Sequence, residues 1–349
     1  MERKVRVVNP KNESRFSVFI SLLIFIIAFW GVTYTTDWNG YEMFYETGLE
    51  SRDLAFDFLS EKFRDMGLDY RNLYQFHIIL IASLYIVFFH RVSNKTLLLV
   101  LFCLLTNYVA IGNQIRFFVA FPLALLATHK FVMSGIKNKV LSCFLMVLSV
   151  LFHFSMIIYY ALFFSFYYFL ERKSVKIQII SIVLGNIVLL YLLSYSSLID
   201  DQYVDYFEKS HLSSFSGGLL TAFPAIFSWC LVFRFRLLSH LNNSVLYEDW
   251  CKFLYVSSIS TSMILFAGLS MQVFISRFIL TVIPLCILYL LYGQEVCSSA
   301  ALRSRANSYI LSIVLVSLAS RYLFPFVLGI FPEYCIYAIE MLTSYTFPF

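Results

Sequence analysis

Three arginines in this chain stand where an arginine is costly. Arg116 in IGNQIRFFVAFPLAL (111–125), Arg277 in ISRFILTVIPL (275–285) and Arg321 are each flanked by apolar sequence. A guanidinium keeps its proton, so hydrocarbon around it costs several kcal/mol unless water or an anion meets it. Asn113 reads as an N-cap with Pro122 further on, so a helix should begin just before Arg116. Ser276, Arg277 and Pro284 repeat the arrangement. A helix start already carries positive partial charge from its free N–H groups, and a cation added there calls for an anion. The chemistry expected of Arg116 and Arg277 is therefore a two-pronged grip on phosphate or pyrophosphate, with Arg321 as a weaker third cation. The plainer reading is an interfacial arginine touching lipid phosphate.

Two further groups have the right chemistry for a sugar. In TTDWNGYEMFYETG, Asp37, Tyr41 and Tyr45 fall at i, i+4 and i+8 and share one face if the stretch is helical. A carboxylate accepts from sugar hydroxyls while a tyrosine ring covers the apolar C–H face. An interfacial aromatic belt with a solvated acid accounts for the same residues. His153, in SVLFHFSMII, falls at a turn between two apolar runs and is a candidate base, or else a hydrogen-bonded core residue. No pair of histidines has zinc spacing, and no phosphate-binding loop, dinucleotide fingerprint or nucleophile elbow occurs. No cofactor and no metal are expected.

The elements that must position these residues follow from composition. Hydrophobic residues make up 60% and charged residues 13%, against about 45–50% and about 25% in soluble domains. This is the composition of a membrane protein. The net charge of +5 is scattered between apolar runs, which excludes a nucleic-acid-binding face. The seven cysteines lie mostly within apolar segments, without metal spacing, and read as small core residues. The basic residues before the run 16–34 resemble a signal peptide, but no small-residue cleavage site follows, so an uncleaved first helix is expected.

The expected fold is all-α: one polytopic membrane domain over 1–349 with about eleven spanning helices (10–12) and an amphipathic helix in an outer loop. The apolar runs are 16–34, 73–89, 96–112, 114–133, 139–153, 155–170, 175–198, 218–238, 250–269, 275–293 and 306–326. Most of the 26 Lys and Arg then fall on one side, which the positive-inside tendency makes cytoplasmic together with the N-terminus. The outer loop 35–72 contains Phe56, Leu59, Phe63 and Met66 at helical spacing, with Asp57, Ser60, Glu61, Arg64 and Asp65 opposite, and should lie flat on the membrane. A second outer loop, 199–217, has the length of a lid. The tail 333–349 is expected to be a short element in the outer interface.

The acid and tyrosines after the first helix (Asp37, Tyr41, Tyr45), the turn Arg52, Asp53, Phe56, the NQIR of 113–116 and the HFS of 153–155 together resemble the EpsG family of Wzy-like polysaccharide polymerases. The resemblance covers about residues 16–170, and the second half in hydropathy and in Arg277. It departs at Phe117, where the family often has Gln, and at Phe154. It implies polymerisation of undecaprenyl-pyrophosphate-linked oligosaccharide repeats at the outer face of a bacterial inner membrane, beside a chain-length regulator and a repeat-unit flippase. On it, Arg116, Arg277 and Arg321 would hold the pyrophosphate, Tyr41, Tyr45, Asp53 and Asn113 the sugar, and His153 or Asp37 would act as catalyst. Two other classes remain: a flippase for the same lipid, which needs cations reachable from both sides, and a membrane O-acyltransferase using His153.

Overall fold

A computed structural model describes residues 13–35, 37–51, 53–133, 136–194, 215–241, 249–270, 275–297, 299–323 and 340–346. The chain divides into two compact units, one of Asn9–Ile158 with Pro325–Phe349 and one of Met1–Val8 with Tyr159–Phe324. The first contains α1 (Arg15–Trp30), α2 (Trp38–Thr47), α3 (Leu54–Asp65), α4 (Tyr70–Val92), α5 (Thr96–Asn113), α6 (Ile115–Val132) and α7 (Ile136–Phe152). The second contains most of α8 (Met156–Ser165), then α9 (Val175–Ser194), α10 (Phe215–Leu241), α11 (Asp249–Ile259), α12 (Leu265–Ser270), α13 (Ile283–Val296) and α14 (Ala300–Leu318). No strand occurs among the described residues.

Among those residues six helices are long and apolar enough to cross a membrane: Tyr70–Val92, Thr96–Asn113, Ile115–Val132, Gly218–Ser239, Asp249–Leu269 and Arg277–Val296. Shorter apolar helices are Arg15–Trp30, Met156–Leu170 and Val175–Leu189. Helix occupies most of the described part of each apolar run named above. The outward faces carry hydrocarbon: Ile180, Leu184, Ile187 and Val188 of α9 are exposed, while its Gln178 and Asn186 are buried. A solvent that rejects amides and accepts isoleucine is lipid, and the chain is a multi-pass membrane protein.

In the first unit the ends of the helices are tied by specific bonds. At one end Glu13 reaches α5, its Oε1 accepting from the Thr96 N–H at 2.8 Å, and lies 3.4 Å from His90 of α4. This carboxylate serves the otherwise uncapped start of α5. At the other end Gly31, just past α1, accepts from Thr346 N at 2.7 Å. A Cβ on Gly31 would sit 2.5 Å from the Thr346 carbonyl oxygen, so only glycine lets the tail approach this closely. The described tail residues thus meet the end of the unit that also carries α2 and α3. Gly48 ends α2 in the left-handed region, at φ 69°.

The structure corrects four expectations. Asn113 is not an N-cap; it is the last residue of α5, and Gln114 alone links α5 to α6 and stands at the cap position. Ser276 does not cap a helix start either. The chain is already helical from Ile275, in a wide π turn, and the regular helix α13 begins at Ile283, where Pro284 occupies the first turn because it has no N–H to contribute. Ser60, expected on the polar side of α3, is buried together with Phe56. Met66, expected on the apolar side, follows the last turn and is exposed, as are Leu54 and Phe58. Loop 199–217 lies outside the described residues except where α10 begins, and so does the tail except for 340–346.

In the second unit a break between α11 and α12, residues Ser260–Ile264, is held by Asn186. Its Nδ2 donates to Ser262 O at 2.8 Å and its Oδ1 accepts from Phe266 N at 2.7 Å. Glu171 and Arg236 form a buried ion pair at 2.9 Å under the ring of Tyr255.

Candidate functional site

Arg116 opens α6, which packs most extensively on α7 and also on α4. Gln114, at the cap position, makes no side-chain cap bond, so the positive end of α6 stands beside the guanidinium without a cap from its own N-cap residue. The arginine faces a carboxylate: its Nη1 lies 2.8 Å from Asp53 Oδ2, and both side chains are largely buried. The guanidinium carbon also sits 4.7 Å from the Tyr41 ring centroid and 5.2 Å from that of Phe56. Two ring faces and one carboxylate compensate the cation in low dielectric. Arg116 Nε is buried and has no hydrogen-bond partner, so the guanidinium retains an unmet donor.

Asp53 does a second task. Its Oδ1 accepts from the backbone N–H of Phe154 at 3.1 Å, across 101 residues of sequence. This bond clamps the turn between α7 and α8, and with it His153, onto the start of α3. The His153 ring lies edge-on to Phe117, with centroids 5.6 Å apart. Its Nδ1 is approached by the Ser155 backbone N–H at 3.3 Å and by Ser155 Oγ at 2.9 Å. A backbone N–H only donates, so Nδ1 carries a lone pair and the neutral ring holds its proton on Nε2. In this tautomer Nε2 carries the proton, and the basic nitrogen Nδ1 is reached through the Ser155 hydroxyl.

The structure therefore gathers Tyr41, Asp53, Arg116 and His153 at one end of the first unit, with Asn113 half-buried at the adjoining end of α5. Tyr45, one turn beyond Tyr41, is occupied differently. Its hydroxyl donates to Leu68 O at 2.5 Å, and Arg64 donates to its carbonyl at 2.5 Å. Burial holds its phenol above the usual range, with Arg64 opposing, so the hydroxyl stays a neutral donor. Asp37 precedes α2 with its side chain exposed and makes no cap bond. Arg277 and Arg321 belong to the second unit. Arg277 is half-buried and its Nε has no hydrogen-bond partner. The backbone of Arg321 falls in the helical turn Ala319–Leu323, and its side chain lies outside the described residues.

Two members of the cluster escape a reading of the sequence. His77 of α4 is fully buried beside Phe56, with ring centroids 5.5 Å apart. Its Nδ1 donates to Leu73 O at 2.8 Å, and its Nε2 has no partner. An ionisable residue inside a spanning helix was the available signal. Asp57 of α3 looks like one more solvated acid in sequence, yet its Oδ2 is buried without a partner.

The model of the EpsG family matches residues 16–332. The chain belongs to the EpsG family. EpsG is a Wzy-like polymerase family, and the match continues well past residue 170. Membership of the EpsG family points to a role like that of a polysaccharide polymerase, with glycosyltransferase-like activity. No curated protein and no solved structure matches this EpsG-family chain.

Proposed function

We propose that this protein polymerises undecaprenyl-pyrophosphate-linked oligosaccharide repeats into a surface polysaccharide, at the outer face of a bacterial inner membrane that it crosses about eleven times. One observation carries the reading: a buried arginine with an unmet donor stands at an uncapped helix start, within a shell of tyrosine, carboxylate and histidine. In the reaction, the bond from the sugar anomeric carbon to the pyrophosphate oxygen breaks. A hydroxyl of the incoming repeat bonds to that carbon and gives up its proton, and lipid pyrophosphate leaves as an anion. Arg116 and the first amides of α6 would stabilise the developing charge. Arg277 and Arg321 are proposed as further cations for the same group.

Within this reading His153 suits the leaving-group side, where an Nε2–H donor can meet a phosphate oxygen. Its Nδ1 can still take a proton through the Ser155 hydroxyl. The exposed Asp37 carboxylate suits the attacking hydroxyl. Tyr41, Tyr45, Asp53 and Asn113 are proposed for the sugar, with Asp53 also fixing the angle of the guanidinium. Partners are the lipid-linked substrate, a chain-length regulator and a repeat-unit flippase. A flippase role for this chain itself has less support, because Tyr41, Asp53, Arg116 and His153 lie together at one end of the first unit.

The test is complementation of a deletion strain with Arg116→Ala, Arg277→Ala and His153→Ala. All three should reach the membrane yet lose long glycan chains, with single lipid-linked repeats accumulating. Arg116→Lys keeps the charge and loses the planar donor edge, so it should fail in part. Normal chain lengths from all three variants would overturn the assignment.

A further inference from the structure

We propose that the cavity between α2, the following turn and α3 is a saccharide subsite, which takes a neutral sugar of the repeat while the pyrophosphate lies at Arg116. The inference rests on the polymerase reading and adds to it the place and chemical class of the sugar contact. The cavity measures about 420 Å³, within the range of about 300–1,000 Å³ usual for small-molecule sites. Its lining residues include Glu50, Asp57, Ser60 and Glu61, with Phe44 and Phe58. Acceptors for hydroxyl protons beside ring faces for C–H surfaces are what a saccharide requires.

Two atoms here ask for a partner. Asp57 Oδ1 accepts from Ser51 N at 3.0 Å, but its Oδ2 is buried and has none. Ser60 is 4% exposed, and its Oγ likewise has none. Buried polar atoms are nearly always bonded, and these two lie one helical turn apart just beneath the wall of one cavity that both residues line. A rotation of each side chain would bring it to a pair of neighbouring sugar hydroxyls, one donating to the carboxylate oxygen and the other exchanging a bond with the serine.

Charge decides which end of the substrate enters. Against three carboxylates the lining has one cation, Arg64, and that is turned to the Tyr45 carbonyl. Such a cavity repels pyrophosphate and acidic sugars and admits neutral ones. A divalent cation is the other ligand an acidic cavity suggests, yet among the described residues no three His, Cys, Asp or Glu side chains are grouped to hold a metal. The pyrophosphate has its own site next door. Phe56 lines the cavity and also lies under the Arg116 guanidinium, and Asp57 is an electrostatic neighbour of Arg116.

The experiment uses the full-length protein in lipid nanodiscs. The probe is the oligosaccharide set released from the native strain's surface polysaccharide by partial acid hydrolysis, read by saturation-transfer NMR. The wild type and Arg116→Lys should both bind, since the probe has no pyrophosphate. Ser60→Leu fills the cavity and should abolish binding. Asp57→Asn keeps the bond from Ser51 and should weaken it about tenfold or more, the ratio carried by one hydrogen bond to a charged group. Glu61→Gln, at an exposed position that holds no part of the fold, should weaken it less. Unchanged transfer in Ser60→Leu, with the variant monodisperse and melting like the wild type, would overturn the subsite. Loss of binding in Arg116→Lys alone would also overturn it, by placing the sugar elsewhere. The two readings fail separately. Long chains in the deletion strain would sink the polymerase reading whatever the cavity binds, whereas their loss there and full restoration by Ser60→Leu would sink only the subsite.

Discussion

Replacing Asp53 by alanine removes the counter-ion of Arg116 and leaves the guanidinium largely buried without it. The Nη1 to Oδ2 distance is 2.8 Å, which places the charge centres about 4 Å apart and gives a gross attraction of about 4 kcal/mol at an effective dielectric of about 20. Desolvation of the two ions offsets most of that, so the intact pair contributes little net stability. Breaking it is another matter, because the remaining charge stays buried, and single deletions of this kind cost about 3–5 kcal/mol. Asp53 also accepts from Phe154 N, so the upper part of that range is expected. The double variant Asp53→Ala/Arg116→Met removes the stranded charge and should recover at least about 2 kcal/mol of the loss. The assay is reversible unfolding in mixed micelles titrated with SDS, run as a double-mutant cycle. If Asp53→Ala falls within about 1 kcal/mol of the wild type, or the two changes simply add, Arg116 is not balanced by Asp53 and the geometry of the site is misread.

Gly31→Ala should destabilise by about 1–3 kcal/mol through overpacking, because its Cβ would meet the Thr346 carbonyl at 2.5 Å and the Tyr345 ring at 2.6 Å. Gly112→Ala instead meets Met341 Sδ at 2.7 Å, a flexible side chain, so Met341→Ala should rescue it in thermal melts while leaving Gly31→Ala unrescued. Asn186→Leu strands the amide of Phe266 and the carbonyl of Ser262; a loss of about 2–5 kcal/mol is expected, with faster hydrogen exchange at Phe266 as its local signature. Tyr45→Phe removes the bond to Leu68 O and should cost about 1 kcal/mol, while the ring, the part of Tyr45 proposed for the sugar, stays in place and long glycan chains are kept. Loss of long chains in Tyr45→Phe, with the protein stable, would instead put that hydroxyl on the sugar.

By itself the sequence determined where helix forms. Hydropathy is summed along the chain, and a bilayer of fixed thickness demands runs of fixed length, so each apolar run is helical over most of its described part. It also put Arg116 in the first turn of a helix and His153 between two helices, because Gln, Asn and His interrupt apolar runs where the chain turns. It misplaced Asn113 and Ser276, since a good capping residue caps only where the chain is free to leave the helix; here α5 runs on through Asn113, and Ser276 lies inside a helical turn.

What tertiary structure alone decided is what these residues face. Asp53 meets Arg116 and Phe154 because the start of α3 lies against the start of α6 and the turn between α7 and α8, and nothing periodic in the sequence encodes a contact across 101 residues. The same packing buries Ser60 and one oxygen of Asp57 on a helix whose sequence places both with its solvated residues. Amphipathic spacing describes a helix with one neighbour. Alpha3 has several, α4 and α7 among them, and the protein around it sets which of its faces is inside.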